Sequence, residues 1–213
     1  MNNLNELINP EICSECGGKC CKKSGCSYSP YDFESQSFNY LHQHLENGTS
    51  SITCTFEMWE NPYRITPVLS IRKRNIDRPI IDLISEKNTC VLLTETGCPL
   101  PAEQRPKAGL SLIPSSTGTC RSYYTNEMQL KEWLEHQKVL ERLVKRYSGV
   151  SSETVINQQV EIATEYMTRK LLENGGNTKN FSQAAQELLE MLARLQNYSY
   201  GEAIERGRKR VPR

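Results

Sequence analysis

Five of the nine cysteines fall within fourteen residues, Cys13-Ser14-Glu15-Cys16-Gly17-Gly18-Lys19-Cys20-Cys21-Lys22-Lys23-Ser24-Gly25-Cys26, and so dense a run of thiols constrains the chain more than any hydrophobic pattern in it. A C-x2-C spacing lets a tight turn aim two sulfurs at one ion, and Gly17 and Gly18 allow the positive φ that turns backbone N–H groups toward thiolates. Lys19, Lys22 and Lys23 offset thiolate charge and lower the thiol pKa values, which favours ligation. Nine cysteines in 213 residues is about 4%, well under the 8–10% of a short disulfide scaffold. The opening MNNLNELINPEIC has neither the basic nor the apolar region of a secretory signal. A reducing, cytoplasmic setting is therefore expected, in which clustered cysteines hold a metal or do redox chemistry rather than staple the fold.

The other cysteines, Cys54, Cys90, Cys98 and Cys120, leave everything after position 120 without a thiol. The chain divides there. Residues 1–124 form a cysteine-cluster metal-binding region broken by Pro30, Pro62, Pro67, Pro79, Pro99, Pro101, Pro106 and Pro114, which prevent any long helix. Residues 125–213 hold a single proline, Pro212, and read as a helical region with a basic C-terminal tail, packed as one unit with the first region. The expected fold class is mainly α: an irregular cysteine-rich N-terminal half, room for one short β-hairpin, and a C-terminal three-helix segment. No apolar run approaches the eighteen or so residues of a membrane span. The net charge of +1 gives no global field toward nucleic acid or anionic lipid.

The periodicities locate the elements. Leu130, Trp133, Leu134, Leu140, Leu143, Val144 and Tyr147 form one helical stripe that Gly149 closes. A second helix starts at Ser151 or Ser152, carries Val155, Ile156, Val160, Ala163, Tyr166, Met167 and Leu171, and ends at Gly175-Gly176. A third covers about Asn180 to Gln196. Earlier, Tyr31-Asp32-Phe33-Glu34 opens a helix running through Leu41 and Leu45 to Asn47-Gly48. Ile52, Cys54, Phe56 and Met58 alternate with polar residues as a strand does, with Cys54 on the apolar face, and 65–71 pairs with it around Asn61-Pro62.

Cysteine recurs in Cys90-Val91-Leu92-Leu93-Thr94-Glu95-Thr96-Gly97-Cys98 and in Cys120-Arg121. Together with the first cluster these motifs resemble the YkgJ-type cysteine-cluster family, described as a zinc- or iron-chelating domain, whose pattern is C-x2-C-x-G-x-C-C, then C-x-x-L, then a cysteine shortly before Arg-Pro, then Cys-Arg. Cys13, Cys16, Gly18, Cys20 and Cys21 match the first element in register. Cys90 with Leu93 matches the second, Cys98 before Arg105-Pro106 the third, and Cys120-Arg121 the last. The pattern departs at one place: the family's last cysteine lies three residues after the Arg-Pro proline, where this chain has Gly109, and Cys120 follows only after the insert Leu110 to Thr119. A flagellin lysine methylase contains the same type of domain, so the resemblance admits an iron-sulfur enzyme. The helical region lies outside it.

The expected metal ligands are Cys13, Cys16, Cys20, Cys21, Cys26, Cys90, Cys98 and Cys120, holding an iron-sulfur cluster or zinc, since both accept all-thiolate ligation. No catalytic residue is assigned. His42 and His44, two apart on a helix, point away from each other and are read as solvated or capping, and His136 as a surface residue. Arg72, Lys73, Arg74 and Arg78 and the tail Arg206 to Arg213 are basic groups able to contact phosphate. Glu95, Arg105 and Arg121 lie beside the cysteines, where the arginines can donate to thiolates. Three functions compete: a cytoplasmic metalloprotein supporting redox or group-transfer chemistry on a partner or substrate the sequence does not name, a structural zinc module for protein partners, and a nucleic-acid adaptor. The near-neutral charge disfavours the last.

Overall fold

A computed structural model describes residues 17–19, 21–22, 25–60, 63–83, 88–113 and 121–173. Its first regular element is a 3-10 turn, Pro30–Asp32, with a reciprocal cap: the Ser29 hydroxyl accepts from the Tyr31 N–H, and the Asp32 carboxylate accepts from the Ser29 N–H. Helix α1, Phe38–Glu46, starts afresh with the Ser37 hydroxyl as its cap. The single helix expected from Tyr31 onward is thus two pieces. The side-chain amide of Gln36 is the reason, because it donates to the carbonyls of Pro30 and Phe33 that a continuing helix would have used. Asn47-Gly48 stops α1 as expected, with Gly48 at a φ of 74°.

Strands β1, Ser50–Glu60, and β2, Tyr63–Lys73, form the antiparallel hairpin legible in the alternation. It is not the minor feature expected. Each strand runs eleven residues, and further chain joins both edges. Along β1, Ile52 N–H donates to Ile80 O, Cys54 N–H to Leu83 O, and Asp82 N–H to Ile52 O, a parallel addition. Along β2, Tyr28 N–H donates to Ile71 O and Lys73 N–H to Cys26 O, an antiparallel one. The fold is therefore mixed α and β rather than mainly α. The reason lies in segments 26–28 and 80–83: too short to show a period of their own, they gain their extended form from the strand edges beside them. A second small sheet pairs β3, Leu112–Ile113, with β4, Arg121–Ser122, after the short helix α2, Lys107–Leu110.

Both faces of the hairpin's inner end are buried, since Ser51, Ile52, Thr53 and Cys54 in β1 and Val68, Leu69, Ser70 and Ile71 in β2 are all covered. Polar residues there find partners: Ser51 Oγ donates to Pro79 O, and Ser70 Oγ accepts from Gln129 Nε2. Helices α3, Asn126–Leu134, and α4, Gln137–Ser148, replace the one long helix that the stripe from Leu130 to Tyr147 implies. The break at Glu135-His136 frees Gln137, whose side-chain amide accepts from Leu69 N–H and donates to Leu69 O and Trp133 O. One side chain thus completes an edge of β2 and the end of α3. Leu140, Leu143 and Val144 of α4 are buried, as are Leu41 and Leu45 of α1, which packs on α4. Trp133 is fully buried and donates through Nε1 to Tyr28 O.

Of the described residues, those through Glu57 and Pro67–Val150 make one compact unit, and Met58–Thr66 with the residues from Ser151 make another. The second contains α5, Ser152–Glu173, whose first turn is capped by the Ser151 hydroxyl and which buries Val155 and Val160. The expected stop at Gly175-Gly176, the third helix at 180–196 and the basic tail lie outside the described residues. Among the described residues no helix is long and apolar enough to cross a membrane.

Candidate metal centre

The end of β2 is where separate cysteine segments meet. Cys26 lies on the segment paired with β2, its carbonyl accepting from Lys73 N–H at 2.8 Å. Just past the strand, Ile76 N–H donates to Thr89 O and Val91 N–H to Arg74 O, so Cys90 stands opposite Asn75 in an antiparallel bridge. Cys90 N–H in turn donates to Cys21 O at 2.7 Å. Asn75, fully buried, ties the loop from the other side, its Oδ1 accepting from Gly25 N–H at 2.9 Å. Backbone pairing, rather than side-chain packing, sets these thiols side by side.

The glycines fit this close approach. Gly18 sits at a φ of 67°, and a Cβ there would lie 2.4 Å from Leu93 Cδ1, so Leu93 packs directly over it. Gly18 and Leu93, both part of the family pattern, are therefore in contact for a packing reason. At Gly25 a Cβ would lie 2.1 Å from Lys73 O, a rigid backbone atom. Gly109, where the pattern has a cysteine, faces Cys26: a Cβ there would be 3.3 Å from its Sγ.

Cys21, Cys26, Cys90 and Cys98 are brought into one neighbourhood. The Cys26 thiol donates to Cys21 Sγ, which holds the Cys21 thiol below its ordinary range, with the Arg105 guanidinium acting in the same direction. The same bond, with burial and the nearby Cys21, Cys90 and Cys98 sulfurs, pushes Cys26 well up. Burial raises Cys90, and Cys21 and Cys98 add to the rise. Among the described residues, no three side chains of His, Cys, Asp or Glu stand close enough together to hold an ion. Four thiols thus share a field without converging on a point. Cys13, Cys16, Cys20 and Cys120 lie outside the described residues. As a donor set the thiols fit zinc or an iron-sulfur cluster, and Lys73 and Arg105 suit the negative charge that thiolate ligation brings.

Cys54 stands apart, buried on the apolar face of β1 as its alternation indicates, its thiol pushed up to about 12 by burial. His44 is neither solvated nor a cap: its Nε2 bonds the Ser50 hydroxyl at 2.9 Å and its ring meets those of Tyr28 and Phe33 edge-on. His42 bonds Tyr147 at 2.6 Å. The basic run at the end of β2 turns partly inward, with Arg72 paired to the buried Asp82 at 3.5 Å and Lys73 itself buried. Sequence reasoning missed Lys73 and Asn75 as site residues. Their signal, a cation and an amide directly after an apolar strand, is too common to single out. Compared with family models, with curated proteins and with solved structures, the chain finds no match in any of the three.

Proposed function

We propose that this chain is a cytoplasmic metalloprotein of the YkgJ type, binding an iron-sulfur cluster or zinc through Cys13, Cys16, Cys20, Cys21, Cys26, Cys90, Cys98 and Cys120. The observation that supports it best is the meeting of Cys21, Cys26, Cys90 and Cys98 from separate segments at the end of β2, with Cys54 held elsewhere. Cys90 is as buried as Cys54, yet unlike Cys54 it is acted on by neighbouring sulfurs, those of Cys21 and Cys98. When bound, an iron-sulfur cluster supplies electron transfer or Lewis acidity, and zinc supplies a rigid tetrahedral staple. The chain's own part is to hold the thiols by backbone pairing, to lower Cys21 through Cys26 and Arg105, and to keep Leu93 packed over Gly18.

The test is anaerobic purification followed by an absorption spectrum and measurement of iron, zinc and acid-labile sulfide per chain. Absorption near 400 nm that dithionite bleaches, with iron and sulfide present, supports a redox-active or Lewis-acid site. A colourless protein holding zinc assigns the cysteines to a structural module. Neither metal at any stoichiometry overturns the proposal.

A further inference from the structure

Helix α2 lies against one of the clustered thiols with little apolar burial of its own. A Cβ at Gly109 would stand 3.3 Å from Cys26 Sγ and 3.7 Å from Cys26 Cβ, so the backbone of α2 covers that side chain. The residues of α2 itself are only half-buried. Its two ends are held differently. At the far end Ser111 is buried, and its carbonyl accepts from Tyr123 N–H at 3.1 Å beside the β3–β4 pairing. At the near end the hold is made by side chains: Lys107 N–H donates to Asp32 Oδ2 at 2.8 Å, and Lys107 Nζ donates to Glu132 Oε1 of α3 at 2.6 Å. Ser29 Oγ and Tyr124 Oη donate to Glu132 Oε2 at 2.7 and 2.8 Å, which fixes the carboxylate that receives Lys107.

We infer that α2 is a lid over the Cys26 thiol, hinged at Ser111 and latched by the Lys107–Glu132 pair. The lid goes beyond the metal-binding reading and stands with the thiol free of metal. A segment with few buried apolar contacts opens at a cost well below that of global unfolding. Here that cost lies mostly in charge-assisted hydrogen bonds to carboxylates, which are stronger than neutral ones. The backbone link between α2 and the Cys26 segment, Ala108 N–H to Ser27 O, is long at 3.3 Å. Side-chain exposures of 37% for Lys107 and 18% for Glu132 place the pair between a solvated surface bridge and a buried one, strong enough to hold α2 down and weak enough to release it. The Tyr124 ring, 4.8 Å from the Lys107 ammonium, steadies the closed form. Closed, α2 keeps reagents and ions from one side of Cys26 Sγ, and open, it admits them.

The experiment uses the full chain, reduced and held with a chelator under anaerobic conditions, with iodoacetamide as the probe and the alkylation rate of each cysteine read by peptide mass spectrometry. E132Q and K107M both release the latch but change the local charge in opposite directions, so an effect on thiolate content alone would move the two rates apart. Cys54, buried on β1, reports global opening in the same sample. Alkylation of Cys26 about threefold faster or more in both variants, with Cys54 unchanged, is expected. A smaller rise in either variant overturns the lid. So does a Cys54 rate that climbs by the same factor as that of Cys26, which would make the pair a support of the whole fold rather than a latch.

Discussion

At the scale of single residues, the glycines and one histidine carry the clearest consequences. Gly25→Ala brings a Cβ to within 2.1 Å of Lys73 O, and neither backbone can move without breaking the Cys26–Lys73 pairing. Gly18→Ala meets the flexible end of Leu93 instead, and adds the strain of a positive φ, about 1 kcal/mol. Chemical denaturation is expected to show Gly25→Ala as the more destabilising, by about 3 kcal/mol or more against about 1–2 for Gly18→Ala. His44 links stability to acid. Burial, with Lys73 second, holds its imidazole down to about 4 from the ordinary 6.5, so between those values the unfolded chain binds a proton that the folded chain refuses. Its contribution is complete above pH 6.5, is lost as the pH falls toward 4, and changes no further below that. The loss should amount to about 2–3 kcal/mol, and H44Q should flatten that part of the stability–pH curve relative to the native chain.

At the scale of elements, helix and strand periods identify what is regular and miss what one side chain interrupts. The stripe from Leu130 to Tyr147 is continuous in apolar spacing, yet the helix breaks because Gln137 is engaged with Leu69. The run from Tyr31 to Leu45 breaks in the same way at Gln36. In both, a polar residue that periodicity treats as a neutral spacer is bound to backbone groups, in the first case far away in sequence. Gln137→Ala leaves Leu69 N–H, Leu69 O and Trp133 O without that amide, and should cost about 2–3 kcal/mol in the unfolding free energy while leaving helix content by circular dichroism nearly unchanged. A loss of helix in proportion to the loss of stability would show that the amide holds the helices rather than the strand edge.

At the scale of the whole molecule, the proposed metal site couples ligation to folding. Removing the metal with a chelator under reducing conditions should lower the melting temperature, because a site held by backbone pairing among distant segments is also a cross-link between them. Cys54→Ala and Cys90→Ala separate packing from ligation. The first should cost stability by opening a small cavity on β1 and leave metal content per chain intact. The second should reduce metal content. Equal metal content in both would remove Cys90 from the ligand set.

The sequence by itself determined that the thiols are grouped, that Cys54 is a strand residue on an apolar face, that Asn47-Gly48 and Gly149 end helices, and that two neighbouring strands form a hairpin. Each of these follows from local chemistry: ligand spacing, side-chain alternation, and backbone freedom at glycine. Only the tertiary structure decided that short extended segments widen the hairpin into a mixed α and β fold, that His44 lies against an aromatic cluster, and that Lys73 and Asn75 stand with Cys26 and Cys90 at the end of β2. Those outcomes depend on partners distant along the chain, as Gly25 and Asn75 are, and a pattern read along the chain carries no record of such a partner.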